Sequence, residues 1–180
     1  VKIFGGWSRG QDQKSLSIFA RSQYGQSVFD YPLFHNSEIS NYESFVLRNS
    51  GNDWTSTMLR DGYITSLASK TDVDHQLFRP AIIYLNGEYW GIQNIREKVN
   101  EHFLSSHHDI NPENIDLLDI QGTNPENIVH GTNIDYLNLL DYLNINDISD
   151  PAVQSGIEGW IDINSFMQYQ AFQIFIDNRD

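Results

Sequence analysis

Two apolar runs separated by a polar pair dominate the pattern of the chain. Residues 81–85 are apolar, Asn86-Gly87 follows, and residues 88–95 continue with aromatic and β-branched side chains. Asn-Gly between such runs predicts a β-hairpin, because both turn residues must accept positive φ. Residues 96–104 are then charged, and Val99, Phe103 and Leu104 fall at helical spacing. A sheet ends near Glu97 and an element of different character begins.

Upstream, residues 1–4, 15–21 and 42–49 read as strands, the last through alternation of Phe45 and Leu47 against Val46. Period two places Lys14, Leu16, Ile18 and Ala20 on one face of the second strand, and Ser15, Ser17, Phe19 and Arg21 on the other. The Lys14 ammonium is therefore expected on the apolar side. Residues 24–42, with Gly25, Pro32 and His35-Asn36, are expected to form a long loop against the sheet. Ser50-Gly51-Asn52-Asp53 predicts a turn and a cap at Asn52 or Asp53, followed by a helix through Trp54, Met58, Leu59, Tyr63, Leu67 and Ala68 to about residue 69. Arg60 and Asp61 ride on that helix, where the ordinary reading is a solvated face and the functional one a cleft.

Downstream, residues 105–118 carry His107-His108-Asp109, and no histidine pair there has the i, i+4 spacing and glutamate of a zinc helix. This stretch is expected to be surface loop. A short strand is expected at 115–120 and a mobile Gly/Asn/Thr/Pro loop at 121–133. Helices follow at 135–144, from Asp150-Pro151, and from a cap at Asp162 or Asn164, the last with Phe166, Tyr169, Phe172, Ile174 and Phe175 as apolar content. That helix runs at once into Asn178-Arg179-Asp180, so the chain is expected to be cut inside its fold at both ends.

Charge divides the chain at the same place as the pattern. Up to Lys98 there are ten basic and ten acidic residues; beyond it only Arg179 is basic against fourteen acids, so the net charge of −13 belongs to the second half. Two lobes are expected, residues 1–97 and 98–180. An acidic balance argues against nucleic acid and against an anionic membrane as partners. No apolar run is long enough to span a bilayer, so no membrane insertion is expected. The absence of cysteine excludes disulfides, thiolate zinc sites and thiol catalysis.

Between the first two strands lies Gly5-Gly6-Trp7-Ser8-Arg9-Gly10-Gln11-Asp12-Gln13-Lys14, a loop able to turn backbone N–H groups toward an anion. Gly5 and Gly10 have P-loop spacing, but Gln11-Asp12 stand where Lys and Ser/Thr are required. The P-loop reading fails. Lys14 can be a strand-end lysine reaching into water or a cleft lysine that holds a phosphate.

Gly5-Gly6-Trp7-Ser8-Arg9 with Gln13-Lys14-Ser15-Leu16, then Tyr84-Leu85-Asn86-Gly87-Glu88-Tyr89-Trp90-Gly91 leading to Glu97, and the terminal Asn178-Arg179-Asp180, together resemble the CotH family. Its members are bacterial spore-coat and related proteins with an atypical protein-kinase-like fold, and the resemblance spans essentially the whole chain. It implies an α+β architecture, an antiparallel-sheet small lobe followed by the start of a mainly helical large lobe. It implies an ATP-dependent enzyme that transfers the γ-phosphoryl group to Ser or Thr of a protein, with Mg²⁺ or Mn²⁺, in a surface or extracytoplasmic setting. Lys14 would contact the ATP phosphates, and the loop with Gly6 and Arg9 would lie near the nucleotide. Glu97 would either pair with Lys14 or line the hinge. Asp180 would be the catalytic-loop aspartate that positions or deprotonates the substrate hydroxyl. No metal ligand is nominated within the chain; the ligands are expected beyond residue 180, so the chain as it stands is expected to be inactive.

The acidic second lobe would suit a basic protein substrate. Two other classes remain beside the kinase: a non-catalytic coat-assembly or binding module that keeps the fold, and a carbohydrate-binding or glycosidase-like domain suggested by the many Trp, Tyr and Asp residues. A retaining glycosidase needs two carboxyls about 5–5.5 Å apart, and no pair in the sequence is nominated for that role.

Overall fold

Five strands pair antiparallel into one sheet in the computed structural model, which describes residues 1–119 and 127–178. They are β1 (Lys2–Phe4), β2 (Ser15–Phe19), β5 (Ser44–Arg48), β6 (Phe78–Leu85) and β7 (Glu88–Glu97), in the spatial order β1-β2-β5-β7-β6. Asn86 and Gly87 take φ of 53° and 85°, so the β6–β7 hairpin turns where the Asn-Gly pair predicts it. The register aligns Ser17 with Val46, Val46 with Arg96, and Arg96 with Phe78, one row across four strands.

β2 buries the face opposite to the expected one. Ser15 and Ser17 are buried, whereas Leu16 and Ile18 are half-buried. Partners make this tolerable: the Ser15 hydroxyl donates to Asn49 Oδ1 at 2.8 Å and accepts from Asn49 N at 2.9 Å, and Gln93 Nε2 donates to the Lys14 carbonyl at 2.7 Å. A buried polar group costs little when it is hydrogen-bonded. Period two names the two faces of a strand; its neighbours decide which one is inside.

Residues 24–42 are not a plain loop. They hold β3 (Phe29–Asp30) and β4 (Asn41–Tyr42), which pair antiparallel, and they supply Leu33, Phe34 and Tyr42 to the hydrophobic cluster. Phe45 and Ile95 of the sheet, with Phe29, Ile39 and Leu77, pack against that cluster. The segment is a covering layer for the sheet.

Helix α1 (Arg60–Ala68) joins β5 to β6. It starts later than expected, because residues 54–59 turn irregularly, with Met58 at φ 57°. After β7 come α2 (Glu101–His108), β8 (Leu117–Leu118), β9 (Ile128–His130), α3 (Ile134–Ile145), α4 (Pro151–Ile157) and α5 (Ile163–Phe175). Short side-chain acceptors open three of these helices: Asn100 takes Phe103 N at 3.0 Å, Asp150 takes Ala152 N at 2.8 Å and Asp162 takes Ser165 N at 3.0 Å. β8 and β9 pair with each other. His107 and His108 belong to α2, not to a surface loop. The expected loop at 121–133 lies partly outside the described residues; its last part is β9 and the turn into α3. Among the described residues no helix is long and apolar enough to cross a membrane. The whole is an α+β fold whose sheet and intervening helix have the form of a kinase-like small lobe.

Candidate functional site

A cleft of about 840 Å³ opens between the sheet, α1 and the C-terminal part of α5. Its wall on the side of β5 and α1 is charged, with Arg48, Asp53, Arg60, Asp61 and the strand-end Arg96. Its other wall is largely apolar, from Val99, Phe103 and Leu104 after β7 and from Tyr169, Phe172 and Ile176 of the α5 region, with Asp177 and Asn178 at its edge.

The charged wall is built from the start of α1. Asp53 is buried, and its carboxylate accepts from the N–H groups of Leu59 and Arg60, both at 3.1 Å, and from the Thr57 hydroxyl at 2.5 Å. The first N–H groups of a helix have no partner within it, so this acid closes the end of α1 from outside. The Thr57 hydroxyl above all, helped by the Arg60 N–H, pulls the acid down to about 2. Asp53 is therefore not the expected N-cap residue, a position held by Leu59; it reaches the start of α1 from seven residues upstream.

One residue beyond Arg60, Asp61 carries two guanidinium groups. Arg48 Nε lies 3.1 Å from Asp61 Oδ2, and Arg96 Nη1 donates to the same oxygen. Arg96 also donates through Nη2 to the Thr65 hydroxyl at 3.2 Å and to Gln76 Oε1 at 3.3 Å. Asp61 and Thr65 stand one turn apart on α1, so Arg96 grips the helix at two points. The side chain of Arg96 is 3% exposed, against 37% for Arg48 and 32% for Asp61. Burial pulls the Arg96 guanidinium below its ordinary value and the repulsion of Arg48 adds to that, while Asp61 opposes both. Two cations share one anion in this cluster, while the lining of the whole cleft sets Arg48, Arg60 and Arg96 against Asp53, Asp61, Asp74 and Asp177.

In protein kinases a strand of the small-lobe sheet carries a lysine for the nucleotide phosphates, and a helix carries the glutamate that pairs with it. Here β5 ends on Arg48, and the helix that follows it in the chain presents Asp61 to it. The reading of Asp61 as a cleft residue is the one the structure realises. Arg48 and Arg96 were not singled out by the sequence, although a basic residue ending an apolar strand just before a capped helix is a usable signal.

Of the nominated residues that are described, Lys14, Gly6, Arg9 and Glu97, none lines the cleft. Lys14 does not line it: its ammonium donates to the carbonyls of Arg9 at 2.8 Å and Gln11 at 2.5 Å, which ties the loop to itself. Gly6 and Arg9 belong to that loop, where the Gly6 carbonyl accepts from Arg9 N at 3.2 Å. The loop reaches the cleft's edge through Ser8, which packs so closely on Gly51 that a Cβ there would stand 2.7 Å from Ser8 Cβ. Gly51 sits between Ser50 and Asn52, both cleft residues.

Glu97 makes no ion pair with Lys14. It is buried at the end of β7, where Oε2 accepts from Leu77 N at 2.8 Å and Oε1 meets His107 Nε2 at 2.8 Å. It fastens the sheet's last strand to the segment before β6 and to α2. Asp180 lies outside the described residues. Among the described residues no group of three or more His, Asp or Glu side chains is placed to hold a metal ion.

The family model described as CotH kinase protein matches residues 1–180, the whole chain. No curated protein matches it.

Proposed function

We propose that this chain, which belongs to the CotH family, binds ATP in the cleft between its sheet and α5 and serves transfer of the γ-phosphoryl group to Ser or Thr of a protein. The observation that supports this reading best is the Arg48–Asp61 pair, a strand cation held by a helix acid in the manner of the lysine–glutamate pair of kinases. The place for the phosphates is the charged wall, where two guanidinium groups share one carboxylate and the buried Arg96 Nε has no hydrogen-bond partner.

In this reading Arg48, rather than Lys14, meets the phosphates. The apolar wall of Val99, Phe103, Leu104 and Phe172 receives the base. Lys14 keeps the loop of Gly6 and Arg9 in shape beside the cleft, and Glu97 holds the strand end and α2 in place. Asp180 takes the proton of the substrate hydroxyl as its oxygen bonds to the γ-phosphorus, the bond to the β–γ bridging oxygen breaks and ADP leaves. A divalent metal ion, Mg²⁺ or Mn²⁺, supplies neutralisation of the phosphate charge when bound; this reading leaves its ligands outside the described residues. A basic protein substrate suits the acidic stretch after Lys98.

The test is transfer from γ-labelled ATP, with Mg²⁺ or Mn²⁺, to a basic protein by the full-length protein and by its Asp180→Asn, Arg48→Met and Lys14→Ala variants. Asp180→Asn and Arg48→Met should each lose about a hundredfold or more of the rate, and Lys14→Ala should keep most of it. ATP binding without transfer in every form would point instead to a non-catalytic assembly or binding module. Absence of both binding and transfer would overturn the reading.

A further inference from the structure

We propose that Arg96 is a positioning residue that keeps Asp61 occupied, so that Arg48 is free to meet the phosphates; this rests on the reading of the cleft as a phosphate site. The evidence is the unequal standing of the two arginines on one carboxylate. Arg96 is almost wholly enclosed and holds α1 through both Asp61 and Thr65, with Gln76 as a further acceptor. Arg48 is more than a third exposed, lines the cleft, and has Asp61 as its one ion-pair partner among the described residues. The anchoring of α1 to the sheet therefore does not depend on Arg48. A simple one-to-one pair would have to break, or share its charge, each time the cation turned to a phosphate. With Arg96 present, Asp61 stays neutralised and α1 stays docked while Arg48 moves.

The arrangement also explains a buried arginine in the row that otherwise holds Ser17, Val46 and Phe78. An apolar residue at position 96 would pack there at lower desolvation cost. It would leave Asp61 with Arg48 alone, and the closest cation to a carboxylate at a partly exposed site is the one least available to another anion.

The experiment compares binding of ATP with binding of adenosine by calorimetry, since their ratio reports the contribution of the phosphates. Arg96→Met should lower that ratio about tenfold, because Arg48 is then captured by Asp61. Adding Asp61→Asn to Arg96→Met should restore it, which no loss of structure would do. If the double variant has the same ratio as Arg96→Met, the proposal is overturned. Asp61→Asn alone covers the case in which Arg96→Met does not fold. With the carboxylate charge gone and both arginines present, the ratio should equal or exceed that of the unaltered protein. A tenfold fall there would show that Asp61 instead aims Arg48 at the phosphates, and would overturn the proposal. If the unaltered protein binds ATP no better than adenosine, the reading of the cleft itself fails and not merely the part given to Arg96.

Discussion

The two walls of the cleft hold their shape by different means. The wall made by β5, α1 and the end of β7 consists of charged groups whose positions are set by one another: Asp53 by the start of α1, and Asp61 by Arg48 and Arg96. The facing wall comes from a part of the chain with little enclosed interior. After Lys98 the buried residues are Asn100, Phe103 and Ile115, and α3, α4 and α5 contain none among the described residues. Ile174 and Phe175 on α5 are 79% and 76% exposed. Charge follows the same division, neutral up to and including Lys98 and strongly acidic after it. A site that must stabilise charge needs dipoles and ions fixed in advance, and the first wall holds the paired arginines and aspartates that can supply them. The second wall offers apolar surface, which tolerates imprecise placement.

This contrast is open to direct attack. The largest effect should come from Phe34→Ala, which removes a ring that is 3% exposed in the cluster behind the first wall. A loss of about 3–5 kcal/mol is expected in denaturant unfolding; a loss below about 1 kcal/mol would mean that residues 24–42 do not form the core layer.

An intermediate effect, visible as a pH dependence, belongs to Asp53. Its carboxyl lies at about 2 in the folded chain against an ordinary 3.8. A depressed acid contributes stability above its ordinary value and loses that contribution as pH falls toward the folded one. Asp53→Asn should therefore remove part of the acid destabilisation seen between about pH 4 and about pH 2 in wild type, read as a smaller fall in melting temperature. Identical acid profiles for the two proteins would show that the acid does not hold the start of α1.

The smallest effect should be Phe175→Ser on the facing wall's helix, within about 0.5 kcal/mol, as for exposed positions generally. A loss comparable to that of Phe34→Ala would erase the distinction between the two walls.

Much of this could be read along the chain, and the reasons are local. Asn86-Gly87 dictates a hairpin because its two residues must take positive φ, and they do. Asp150 and Asp162 open α4 and α5 because a short acceptor side chain reaches the next free N–H groups. Gly5-Gly6-Trp7-Ser8-Arg9 with Gln13 to Leu16, Tyr84 to Gly91 leading to Glu97, and Asn178-Arg179-Asp180 are likewise runs of neighbours in sequence, and together they carried the resemblance to the CotH family and with it the α+β class.

What required the tertiary structure is every choice between two locally equal alternatives. β2 has two faces, and the serine face can be the buried one because Asn49, just past the end of β5, partners the Ser15 hydroxyl while Gln93 of β7 takes the Lys14 carbonyl beside it. The segment with His107 reads as loop until Glu97 gives it a buried acceptor. Lys14 is an available cation by sequence, yet its own loop's carbonyls claim it. The charged centre of the cleft needs Arg48, Asp61 and Arg96 from a strand, a helix and a second strand. A sequence displays residue types and their spacing. The field at a site depends on distances between residues far apart in the chain, and folding alone sets those.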